Sequence, residues 1–149
     1  MRTYETVEAT WAHILSMRDR LREMDMRECL GQGIPIRKVL HRTFARSLLR
    51  RAVISDGVAF AAWGVCGDFV SDEGIPWFLT THEIEAFPVA TLKEARKGIA
   101  EMLEIKPYLW NYVLADYASA IKFLTLLGFT IEGPRTVAND IYRLVWIKK

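Results

Sequence analysis

The sequence predicts a single α/β (α+β) domain over residues 1–149, and three observations carry that expectation. The first is the segment Leu109–Pro134, where the apolar period changes twice. Leu109–Ala115 is a short apolar and aromatic run behind Pro107, which suits a buried strand. From Ala118, the residues Ala120, Ile121, Leu124 and Leu127 recur at helical spacing, and Gly128 suits a left-handed C-terminal cap. Phe129 and Ile131 then read as a second strand, with Gly133-Pro134 as its exit. The second observation is Asp56-Gly57 between the apolar runs Ala52–Ser55 and Val58–Val65, because that pair supplies the positive backbone angles of a two-residue hairpin turn. The third is length: 149 residues, 51% of them apolar, are enough for one sizeable core.

Taken in order, Tyr4–Glu8 reads as an edge strand. Trp11, Ile14, Leu15, Leu21 and Met24 follow at helical spacing behind Thr10 as a possible cap. The mixed-sign run Met17–Glu28 reads as the wet face of that helix. Leu30-Gly31-Gln32-Gly33 ends the element, and Pro35 opens the next helix, expected to reach Arg51. There Ile36, Leu40, Phe44 and Leu48 stand at steps of four opposite Lys38, Arg42, Arg46 and Arg50, so the four cations would share one face. With no aromatic residues between them, that face fits water, an acidic partner protein or, last, nucleic-acid phosphates.

Beyond the hairpin, Ala59, Ala61, Ala62 and Gly64 leave room for closely packed neighbours. Gly67 to Gly74 reads as a loop, and Trp77–Thr81 as the next strand. Thr91 with Glu94 fits a capping box, ahead of a helix whose buried stripe is Leu92, Ala95, Ile99, Met102 and Leu103. Ile141–Ile147 forms a last strand, apolar on both faces and expected to be covered on both, inserted beside Leu109–Ala115.

Charge and cysteines exclude more than they assign. A formal net charge of +2 calls for no polyanion globally, so only a local patch would argue for one. Cys29 and Cys66 lack metal-ligand spacing and are expected to be buried free thiols of a soluble intracellular chain. No metal site is proposed from His13, His41 and His82. There is neither a membrane-length apolar run nor the apolar core of a signal peptide.

The segment closing at Gly128-Phe129 resembles the C-terminal motif of the GNAT-type N-acetyltransferases, which has an Asn, an Ala three residues on, a Leu-Tyr pair and a closing Gly-Phe. Aligned on Gly128-Phe129, Tyr117 stands at the Asn, Ala120 at the Ala, Phe123 at the Leu and Leu124 at the Tyr. The resemblance implies a mixed, mostly antiparallel sheet with helices on both faces. It also implies that the residue at the Leu124 position protonates the leaving thiolate, which leucine cannot do. The family's Arg/Gln-x-x-Gly-x-Gly/Ala pyrophosphate loop would fall on His82–Thr91, which has no glycine, two carboxylates and Pro88. No cofactor is therefore expected. If acetyl-CoA does bind, it would lie in the cleft between the strands at Trp77 and Leu109, held by backbone groups of Thr80, Thr81 and His82, with Glu83 as the candidate general base.

Trp77-Phe78-Leu79-Thr80, Leu109-Trp110-Asn111-Tyr112-Val113 and Phe123-Leu124 before Gly128 also resemble the small internal virion proteins of short-tailed phages, over the C-terminal half. Those proteins keep an Asn where Tyr117 stands. This second resemblance implies a virion or assembly component, made in the host cytoplasm and placed in the particle interior. Its partners would be other virion proteins or further copies of itself rather than a membrane, with Lys38, Arg42, Arg46 and Arg50 as the contact residues. The alternative is a divergent acetyltransferase acting on an amine.

Overall fold

The computed structural model describes residues 3–23, 25 and 33–149. Its elements are β1 (Glu5–Glu8), α1 (Trp11–Met17) with a 3-10 turn at Arg18–Arg20, α2 (Ile36–Ala45), β2 (Ser47–Ser55), β3 (Val58–Cys66) and β4 (Glu73–Thr80). After a 3-10 turn at His82–Ala86 come α3 (Pro88–Ile105), β5 (Tyr108–Leu114), α4 (Ala118–Leu126), β6 (Thr130–Val137) and β7 (Asp140–Lys148). The strands form one mixed sheet in the order β1-β2-β3-β4-β5-β7-β6, antiparallel throughout except for the β4–β5 pair. Helices pack on both faces. Trp63, Val65, Leu109, Val113 and Val145 of the sheet meet Ala95, Ile99 and Met102 of α3 and Leu124 of α4. On the other face Ala52, Ala62 and Trp77 meet Ile14 and Met17 of α1 and Val39 and Leu40 of α2. Burying each of these larger side chains stabilises the fold by about 1.5–3 kcal/mol.

Local chemistry explains the elements that the sequence marks clearly. Asp56 and Gly57 take φ of 51° and 77°, the two positive angles of the expected hairpin turn. Thr10 caps α1 reciprocally with His13, Gly128 closes α4 with φ 99°, and β7 lies beside β5. The edge strand Glu5–Glu8 pairs with β2.

Several expectations are corrected. The helix beginning near Pro35 ends at Ala45 rather than Arg51, so Arg46 is its C-cap, while Leu48, Arg50 and Arg51 belong to β2. The helical spacing of Leu48 and Arg50 is coincidental, because β3 is nine residues long and needs a partner from Ser47 onward to satisfy its backbone. Arg50 instead lies over the Phe44 ring, 4.3 Å from its centroid. Leu21 is extended rather than helical, with ψ 147°. Gly133-Pro134 is not an exit: it sits at a bulge between Ile131 and Pro134, and β6 continues to Val137 as an edge strand that tolerates proline. Thr91 is no cap, since α3 starts at Phe87-Pro88 and Glu94 is taken by Thr6 and Lys97. Only one face of β7 is well buried, at Val145, while Tyr142, Leu144 and Trp146 remain half-buried. Cys66 is a half-buried free thiol. The readings on Met24, Cys29 and Leu30-Gly31-Gln32 lie outside the described residues.

Gly64 shows why small residues line β3. A Cβ there would run into the Leu49 carbonyl and come within 2.7 Å of the Trp77 indole, whose Nε1 is fixed by a 2.8 Å bond to Ser47 Oγ. Gly64→Ala should therefore destabilise the protein by about 1–3 kcal/mol, read as a lowered urea midpoint. An unchanged midpoint would contradict this packing.

Candidate functional site

The site starts from a missing donor. β4 and β5 pair at only two positions, Glu73↔Tyr108 and Gly74↔Leu109. Two residues on, Pro76 turns its carbonyl toward β5, where it accepts Asn111 Nδ2 at 2.7 Å, and the N–H that would face the same way does not exist. The parallel ladder stops there and the strands diverge.

The free edge of β4 is then taken by the chain that follows α1. Leu21 forms an antiparallel bridge with Thr81, and Arg22 N–H donates to the Thr80 carbonyl at 3.1 Å. Asp25 Oδ2 accepts both the Thr80 N–H (3.2 Å) and its hydroxyl (2.9 Å), while Oδ1 accepts the Tyr117 hydroxyl at 3.2 Å. Asp25 is only 8% exposed. Burial pushes its carboxyl above the usual aspartate range, against the pull of Thr80, Tyr117 and Arg22. Asp25 and Asn111 both line two cavities. One, of about 510 Å³, lies on the side of α1 and α2; the other, of about 90 Å³, lies against α4 and is lined by Tyr117, Phe123 and Leu124.

The expected site residues are distributed unevenly around this cleft. Thr80 N–H is bound by Asp25, and the fully buried Thr81 gives both its N–H and its hydroxyl to the Phe60 carbonyl, at 3.0 and 3.3 Å. His82 is exposed at the start of a 3-10 turn. Glu83 is on that turn too, not in a strand, and its Oε1 is held 2.6 Å from Arg20 NH1. Burial raises the Glu83 carboxyl, but the hydrogen bonds it accepts and the Arg20 charge outweigh this and hold it below the usual range, which suits a structural ion pair better than a base. In place of a glycine loop, Phe87 leads into α3, stacked on Phe60 at 5.0 Å and set edge-on to Tyr4 at 5.8 Å. Leu124 is buried. Of the four cations, Arg42 and Arg46 meet at the larger cavity; Lys38 and Arg50 do not line it.

Sequence reasoning missed Asp25, Asn111 and the role of the Tyr117 hydroxyl. Asp25 stands in a run read as solvated, and nothing local marks it as the acid that, among the described residues, tertiary contacts bury. Tyr117 departs from the family asparagine, and it places a phenol beside the leucine that replaces the family tyrosine.

A family model described as "Bacteriophage T7, probable scaffold protein Gp13" matches residues 51–133, more than half of the chain. No curated protein matches it in sequence. Among solved structures, an acetyltransferase of the GNAT family from Streptococcus pneumoniae superposes with a TM-score of 0.64 at 11% identity, covering 98% of this chain and 99% of that one. The acetyltransferase from Agrobacterium tumefaciens gives 0.69 at 15%, covering 99% and 91%. Spermidine N-acetyltransferase from Vibrio cholerae, in complex with CoA and spermine, gives 0.71 at 8%, covering 97% and 95%. The fold is GNAT-like.

The elevated Asp25 carboxyl has a pH consequence. A carboxyl whose folded pKa exceeds its unfolded value contributes stability that is complete below the unfolded value of about 3.9 and is lost as pH rises through the folded value. The unfolding free energy of the parent minus that of Asp25→Asn should therefore fall with rising pH across that window, measured by urea titration at successive pH values. A flat difference would show that Asp25 does not titrate as described.

Proposed function

The chain belongs to the family described as bacteriophage T7 probable scaffold protein Gp13, and on that premise we propose that it is a structural or assembly component of a phage particle that uses a GNAT-like fold without binding acetyl-CoA. The observation that carries this reading is the edge of β4 occupied at Thr80. Thr80 N–H and C=O, which face that edge, already bond to Asp25 and Arg22, so a ligand laid along it at Thr80 would have to displace buried partners at about 1–3 kcal/mol for each group left unpaired. Glu83 and Glu85 in the following turn, and the absent N–H of Pro88, further oppose a pyrophosphate. In this reading the protein is made in the host cytoplasm and ends in the virion interior. Its partners are other virion proteins or its own copies, met through the Arg42 and Arg46 side of the molecule.

One observation favours the runner-up, a divergent acetyltransferase. The Tyr117 hydroxyl and the buried Asp25 carboxyl meet beside Leu124 at the smaller cavity, a pair able to hold and move a proton where the family tyrosine is missing.

Calorimetric titration separates the two readings. Acetyl-CoA should give no binding isotherm up to high micromolar concentration, and a well-defined isotherm at low micromolar would sink the assembly reading in this form.

A further inference from the structure

Phe69 and Val70 are each 93% exposed, at the tip of the loop between β3 and β4. Their backbone is held in place. Asp68 Oδ1 accepts the N–H groups of Val70 (2.9 Å) and Ser71 (2.7 Å), and Ser71 Oγ accepts that of Glu73 at 2.9 Å. Lys106, only 5% exposed, donates its ammonium to the Ser71 carbonyl and packs its stem against Gly67 and Gly74. An apolar pair presented on so fixed a loop has little ordering cost left to meet when it docks.

A receptor of matching character lies next to it. The cavity of about 510 Å³ has apolar walls that include Leu40, Phe44, Trp77 and Leu79, and it carries Arg42 and Arg46, both exposed. That volume is in the range that houses a drug-sized ligand, with room for a Phe-Val pair. The loop brings Asp68, Asp72 and Glu73 beside its apolar tip, opposite in sign to the two arginines. Cys66 and Ile75, on either side of the loop, themselves line the cavity, so knob and receptor stand side by side on one subunit. That placement suits a two-fold axis, across which one surface is complementary to itself.

We propose that the protein pairs with a second copy of itself by reciprocal exchange of this loop, Phe69 and Val70 of each copy entering the other's cavity while Asp68 and Asp72 meet Arg42 and Arg46. This names the partner within the assembly reading above and rests on it.

The test is sedimentation velocity on the full chain at micromolar concentration, for the parent, the knob variant Phe69→Asp/Val70→Asp, the receptor variant Arg42→Glu/Arg46→Glu and an equimolar mixture of the two variants. Circular dichroism checks that each is folded, and the exposure of all four side chains leaves folding intact. The parent should dimerise, more weakly at high salt. Each variant alone should lose association by tenfold or more, having no intact knob-receptor pair. The mixture should regain part of it, since one intact knob then meets one intact cavity. A monomeric parent, a variant that still dimerises, or a mixture no better than its components each overturns the proposal. Acetyl-CoA binding would overturn the assembly reading itself, so the two failures are separable.

Discussion

Backbone hydrogen bonding along β4 is the constraint on which the rest of the structure depends. β5 leaves β4 after two pairs, and the polar groups thus released at Pro76 and Thr80 take other partners. Asn111 serves the Pro76 carbonyl, and Arg22 and Asp25 serve Thr80. To reach it the chain leaves α1 through the turn at Arg18–Arg20, where Arg20 holds Glu83 and the Ala59 carbonyl, at 2.6 and 2.9 Å. Tyr117, at the start of α4, closes the network from the other side. The N-terminal helices and the C-terminal strand-helix-strand unit are thereby tied through one carboxylate.

In the solved acetyltransferases the same fold carries transfer chemistry, and a fold shared at 8–15% identity leaves the chemistry to particular residues. Here those residues act on each other. Leu124 packs into the core, Glu83 is bound to an arginine, and Phe87 fills the turn where a glycine loop would expose amides. Membership in a phage scaffold-protein family accords with a domain whose β4 edge is taken at Thr80 by its own chain and whose apolar residues Phe69 and Val70 face outward.

Much of this fold was legible where local chemistry and tertiary packing ask for the same residue. Asp56-Gly57, Gly128, Thr10 and the apolar core of β5 each have one structural use, and each is used that way. Reading failed where two patterns overlapped. Residues 36–50 satisfy a helical spacing throughout, yet the pairing demands of β3 claim everything from Ser47, and its hydroxyl joins the Thr43 carbonyl to the Trp77 indole at that junction. Thr91 and Glu94 match a cap in spacing, but the Phe87-Pro88 start of α3 pre-empts them. The candidate site was legible only by what it lacks. Asp25 is distinguished by its neighbours in space, which lie 55 and 92 residues away in sequence.

At Thr80 the free edge of β4 is satisfied by the protein itself. Amide hydrogen exchange at Thr80, followed by NMR with and without millimolar acetyl-CoA, tests it most directly. Slow exchange at that amide, unchanged by the cofactor, is the expected result. Rapid exchange at Thr80 in the free protein that becomes slow when acetyl-CoA is added would contradict it.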